Sequence, residues 1–162
     1  MRIGSRASMR LRLATPLALL ALAMPLAACG KSEKDKYIDD FKPLNDTLLA
    51  LGQDLSRAVD GADKKSDAAL AKEFSSLATR LKAVNEDIAD LETPAELENE
   101  EVTLNSRLDA TITDIEDIAK AARGNDAEKA AAATVQLAAD AQKVNTAQNK
   151  LARATGADVG GR

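Results

Sequence analysis

Cys29 is the only cysteine among 162 residues. It closes an apolar stretch, with two small residues, Ala27 and Ala28, immediately before it and Gly30 after it. A lone thiol can form no internal disulfide, and in an oxidising compartment it is a liability unless chemically capped. Elsewhere the reactive chemistry is sparse. The chain has no histidine, which removes the commonest general base and transition-metal ligand, and with it the Glu-x-x-His di-iron bundles and the haem-ligating bundles. Serines such as Ser56, Ser66, Ser75, Ser76 and Ser106 lie on helical segments with no base beside them and read as caps or surface. The acidic groups Asp39 with Asp40, and Asp114 with Glu116 and Asp117, lack the glycine-turned loop that wraps calcium and read as solvated helical faces. Glycine-rich phosphate loops are absent, and Tyr37, Phe41 and Phe74, the only aromatics, make no stacking platform for sugars or bases. The expectation is a non-enzymatic chain without catalytic, metal or cofactor-binding residues.

The segment before Cys29 explains the thiol. Arg2, Arg6, Arg10 and Arg12 precede an apolar run of about 14 residues, Leu13 to Leu26, too short to span a bilayer core and interrupted by Pro16 and Pro25. Leu26-Ala27-Ala28-Cys29 resembles the lipobox of bacterial lipoprotein precursors. The resemblance implies that Cys29 takes a diacylglyceryl group on its sulfur, that the leader is cleaved before it, and that the new N-terminus is acylated; no other cofactor is implied. By the same resemblance, Gly30 rather than Asp after the cysteine favours the outer membrane in a Gram-negative cell, and in a Gram-positive cell the outer leaflet of the plasma membrane. The expected location is thus extracytoplasmic and lipid-anchored. Beyond the leader, the chain is similar to small, alanine-rich helical lipoproteins of uncharacterised function, with a Leu-rich helix, a Pro-Ala-Glu cap and an Ala-rich last helix.

Of the 22 basic and 26 acidic residues, four basic ones are the leader arginines, so residues 29–162 carry a net charge of −8. Such a surface repels phosphate backbones, which excludes nucleic acid as the expected partner. Lys31, Lys34 and Lys36, next to the anchor, would either touch anionic headgroups or belong to a solvated linker.

The remaining chain must position whatever else it holds. Four times, apolar residues recur at alternating spacings of four and three, as on a helix that buries one stripe. The first stripe is Tyr37, Phe41, Leu44, Leu48, Leu51, Leu55 and Ala58; the second is Leu70, Phe74, Leu77, Leu81, Val84, Ile88 and Leu91. The third is Leu97, Leu104, Leu108, Ile115, Ile118 and Ala122, with Glu101 and Thr111 in two seam places. The fourth is Ala130, Leu137, Ala141, Val144 and Leu151, with Thr134 and Gln148 in the seam. Gly61 should end the first helix. Thr93-Pro94-Ala95-Glu96 should cap and start the third, Gly124 should supply a left-handed residue at its end, Asn125 should cap the fourth and Gly156 should end it. Pro43 should kink or restart the first helix: either it begins near Lys42 or it bends there, and the bend is preferred. Short links force neighbouring helices antiparallel, so the expected fold is all-α, an up-down-up-down four-helix bundle after a cleaved signal peptide. The divisions are a signal peptide over 1–28, a lipidated linker over 29–33, the bundle over 34–155 and a flexible tail over 156–162.

Labelled as heptads, the four stripes place Asn45, Asn85, Asn105 and Asn145 at one equivalent position, e, directly after a d-position Leu or Val. Either they form a buried polar layer that fixes register, and that could hold a small polar ligand, or they face solvent at the rim of each stripe. Small or apolar residues at the other e positions, Val59, Ala71, Ala78, Ile112, Ala119 and Ala138, indicate a partly covered face. Glu101 and Gln148 read as solvated seam ends, and Tyr37 as a core edge with a wet hydroxyl. Two functions fit this pattern. One is an envelope interaction or structural module that offers its acidic faces to a protein or cell-wall partner, with a dry, continuous core. The other is a small-ligand carrier or sensor, with a pocket of at least roughly 300 Å³ lined by the asparagines.

Overall fold

Four amphipathic stripes on one chain have to bury against each other, and in the computed structural model, which describes residues 31–156, they do so as four α-helices with no strand among the described residues. Helix α1 is Glu33–Asp60, α2 Asp67–Ala89, α3 Glu98–Arg123 and α4 Ala127–Thr155. At 1.5 Å per residue they are rods of about 35–44 Å. The links are short and successive helices run antiparallel, giving the up-down-up-down bundle. None of these helices is long and apolar enough to cross a membrane.

Local chemistry sets most boundaries. Ser32 caps α1 reciprocally: its hydroxyl accepts from the Asp35 N–H at 3.1 Å, while the Asp35 carboxylate accepts from the Ser32 N–H at 3.3 Å. The helix then runs unbroken through Pro43, so the alternative start near Lys42 is excluded. Tyr37 and Phe41 lie on the same helix, with stacked rings and centroids 5.7 Å apart. Gly61 closes α1, a single 3-10 turn over Ala62–Lys64 comes next, and Ser66 caps α2 by accepting from the Ala69 N–H. Gly156, at φ 71°, ends α4 in the left-handed region.

Two boundaries differ from expectation. Thr93 does not cap α3. Pro94–Leu97 form a turn, closed by the Leu97 N–H donating to the Pro94 carbonyl at 2.8 Å, and α3 starts at Glu98. The Thr93 hydroxyl is taken by the carboxylate of Glu101 instead, and Leu97 is fully buried; a tertiary contact overrides the local cap. At the other end of α3, Gly124 has an ordinary φ of −85° and Asn125, at φ 50°, takes the left-handed place. The Asp126 N–H reaches back to the Ala121 carbonyl at 2.9 Å and the Asn125 N–H to Ala122 at 3.1 Å, the paired bonds of a Schellman ending. Asp126 then caps α4, accepting from the Lys129 N–H at 3.1 Å, so the whole connection is displaced by one residue.

The core is aliphatic: Ile88, Leu97, Leu104, Leu108, Ile115 and Leu151 are all but sealed from solvent, with Tyr37, Phe41 and Phe74 as the buried aromatics. Helices α2 with α3, and α3 with α4, pack closely along their lengths, whereas α1 and α4 come together over only a few residues. Their junction lies at the end where α1 begins. Lys34 Nζ donates to the Ala154 carbonyl at 2.7 Å, and Gln148 Nε2 donates to Asn45 Oδ1 at 3.3 Å.

Candidate functional site

Beyond the Asn45–Gln148 bond a groove opens between α1 and α4, enclosing a cavity of about 540 Å³. Leu48, Leu55 and Val59 of α1 face Leu137, Ala141 and Val144 of α4 across it, and Leu81 of α2 with Leu108 and Ile115 of α3 lie at its floor. Asn145 and Gln148 lie at one end and Thr134 and Asp60 at the other, with Gln53 and Ser56 of α1 and Thr111 of α3 between them. Gly52 belongs to the wall, and a Cβ built there meets nothing within 4 Å. Position 52 lies one heptad after Asn45 and one before Val59. Glycine in a helix interior costs roughly 0.5–1 kcal/mol relative to alanine, and here it leaves the wall hollow.

The open side decides the fate of the four asparagines. Their e column is covered on α2 and α3, where Ala71, Ala78, Ile112 and Ala119 are buried, but on α4 it borders the groove, where Ala138 and Asn145 are exposed. Asn45 and Asn85 are buried, and Asn105 is half-buried with its Oδ1 enclosed and unpartnered. They bond outside their own set: Asn45 to Gln148, and Asn85 Nδ2 to Asp109 Oδ1 at 2.7 Å. No single four-membered layer exists, and only Asn145 among the four lines the groove. Asn145→Leu should leave thermal unfolding within about 0.5 kcal/mol of the parent. Asn85→Leu removes an enclosed, unpartnered Oδ1 and returns exposed Asp109 to water, so its cost should stay within about 1 kcal/mol. Urea titrations with unchanged oligomeric state are the check; a loss of several kcal/mol for either would restore the register role.

Two buried polar clusters were not anticipated. Asp114 and Asp140 face each other across α3 and α4 and are both buried. Asp140 is held by Lys143 at 2.5 Å and Gln136 at 2.9 Å, which keep its carboxyl below the usual range. Asp114 Oδ2 is enclosed without a partner. Burial first, then the adjacent Asp140 and the nearby Asp117, push Asp114 up to about 6, against a smaller opposing pull from Lys143. The second cluster is Tyr37, Glu101 and Thr93. Glu101 is buried rather than a solvated seam end, and the Tyr37 side chain, hydroxyl included, is enclosed rather than wet. Burial and the neighbouring Glu101 carboxylate raise the phenol well above its ordinary range. Neither cluster opens into the groove.

A signal for the acidic pair was present in the g column, the flank opposite the asparagines. Asp114 and Asp140 share it with Ala121, Ala133, Ala147 and Ala154, and these alanines are buried or half-buried. Cys29, the expected lipidation residue, lies outside the described residues. No family model, no curated protein and no solved structure matches this chain.

Proposed function

We propose that this protein is a lipid-anchored, extracytoplasmic, non-catalytic lipoprotein whose bundle carries or senses a small, largely apolar ligand held between α1 and α4. The observation that carries the reading is the groove. At about 540 Å³ it falls within the range of small-molecule sites, and a bundle serving only as a spacer gains nothing from leaving Leu48, Leu55, Leu137 and Val144 beside unfilled space. Its largely aliphatic walls, with the amides of Asn145 and Gln148 at one end, favour an apolar body with a polar end, in place of the small polar ligand that an asparagine layer would have held.

The anchor rests on the sequence before α1: the arginines, the short apolar run and Ala27-Ala28-Cys29. A neutral solvatochromic dye tests the binding reading. Purified protein should bind it saturably with one site per chain, and Gly52→Leu, which fills the groove, should abolish that site. Non-saturable binding, or binding indifferent to the substitution, refutes a ligand site between α1 and α4.

A further inference from the structure

We propose that the occupant of the groove is the hydrocarbon chain of a neutral single-chain amphiphile, a monoacylglycerol in chemical class, its head against Asn145 and Gln148 and its tail running toward Val59. This assignment rests on the ligand-binding reading above and narrows it to one chemistry.

Length and volume are the first argument. The lining residues extend from 48 to 60 on α1 and from 134 to 148 on α4, about 20 Å at 1.5 Å per residue. A groove of that length with a volume of about 540 Å³ has room for an extended alkyl chain laid along its axis. The apolar floor is also far smaller than the roughly 800 Å² that each partner buries in a standard protein interface, which argues against a second copy of this chain.

Wall chemistry and charge narrow the class. The walls are mostly Leu, Val, Ile and Ala, with the uncharged Gln53, Ser56 and Thr111 among them, and none of Tyr37, Phe41 or Phe74 lines the groove, so a planar ring finds no stacking partner while a saturated chain finds dispersion contacts along most of its length. The only ionisable lining residue is Asp60, at the distal end, and the chain from residue 29 onward carries −8. A carboxylate or phosphate head would meet no cation there. The amide-bearing end offers neutral donors and acceptors, which suit the hydroxyls and ester of a glyceryl head.

Gly52 provides the test. Leucine there replaces a helix-weakening residue and enters open space, so the variant blocks the groove without threatening the fold, and Gly52→Ala controls for the backbone change. The full chain, inserted through its anchor into phosphatidylcholine vesicles containing a monoacylglycerol with a photoactivatable diazirine on its chain, is irradiated and digested for mass spectrometry. Adducts should fall on peptides covering 48–59 and 134–148, drop at least about tenfold in Gly52→Leu and stay within about twofold in Gly52→Ala. Unlabelled palmitate or an alkyltrimethylammonium should compete far less well than unlabelled monoacylglycerol. Adducts absent from those peptides, or undiminished by leucine, overturn the proposal, as does better competition by either charged amphiphile. If the dye binds saturably and no acyl chain displaces it, the groove remains a ligand site and the lipid assignment falls; if neither binds, both fall. A dimer in sedimentation that Gly52→Leu dissociates gives the groove to a second copy and overturns the assignment.

Discussion

Replacing Asp114 with asparagine should stabilise the protein at pH 7 by about 1–3 kcal/mol and leave it almost unchanged at pH 4. In the folded state Asp114 titrates near 6, above the ordinary value of 3.8. Between those values the native state holds a proton that the unfolded chain has released, so stability falls as pH rises through the window and the penalty is constant above it. At pH 4 the native carboxyl is protonated and the unfolded one only about half ionised, so Asp114 costs only about 0.5 kcal/mol. Its neighbour acts in a different window. Asp140 is held low by Lys143 and Gln136, so its contribution is present above the ordinary carboxylate range and is lost as pH falls below it. Asparagine keeps the neutral form at every pH, and its amide can donate to the Asp140 carboxylate as the protonated Asp114 carboxyl does. Thermal unfolding followed by circular dichroism should show a midpoint about 5 °C higher for the variant at pH 7 and midpoints within about 2 °C at pH 4. Equal shifts at both pH values, or a loss at pH 7, would mean that Asp114 is not a strained carboxyl.

How far such features could be read from the residues depends on whether they are set locally or by packing. The helices were legible because their stripes and caps act over one or two turns: Ser66, Gly61 and Gly156 do what their chemistry dictates wherever they stand. Thr93 illustrates the limit. As a cap it competes with a buried carboxylate eight residues away, and only the packing of Glu101 near Tyr37 decides the contest. The groove was illegible for a related reason. The spacing of Leu48, Leu55, Leu137 and Val144 marks an apolar face but says nothing of how closely α1 approaches α4. Asn145 is exposed and Asn85 buried at equivalent heptad places because one side of the bundle is open. Gly52 was the missed clue: an unpunctuated helix that keeps a glycine in mid-length invites the question of what its missing side chain leaves room for.

Cys29→Ser should abolish incorporation of labelled palmitate and leave a precursor that retains residues 1–28, because in the proposed anchor both cleavage and acylation depend on prior modification of the sulfur. Loss of the lipid removes the main force on the protein. Each buried methylene contributes roughly 0.8 kcal/mol, so two or three acyl chains hold a soluble domain firmly while a single chain holds it only marginally. The bundle has little to substitute. None of its helices is apolar enough to cross a bilayer, and the lysines next to the anchor are partly engaged elsewhere: Lys31 pairs with Asp39, and Lys34 donates to the Ala154 carbonyl across to α4. Headgroup attraction is worth about 1 kcal/mol per free cation near an anionic surface, and a body carrying −8 opposes it. The lysines alone therefore cannot replace the acyl chains, and Lys36→Glu should leave acylated protein in the membrane pellet at high and low salt alike. To separate anchor from leader, residues 29–162 with Cys29→Ser, exported behind a cleavable signal that bears no lipobox, should appear wholly in the soluble extracytoplasmic fraction with the same helical circular dichroism as the acylated form. Wild-type protein that takes up no palmitate, or exported Cys29→Ser protein that still pellets with membranes, would transfer the attachment to the bundle and remove the lipid anchor from the account.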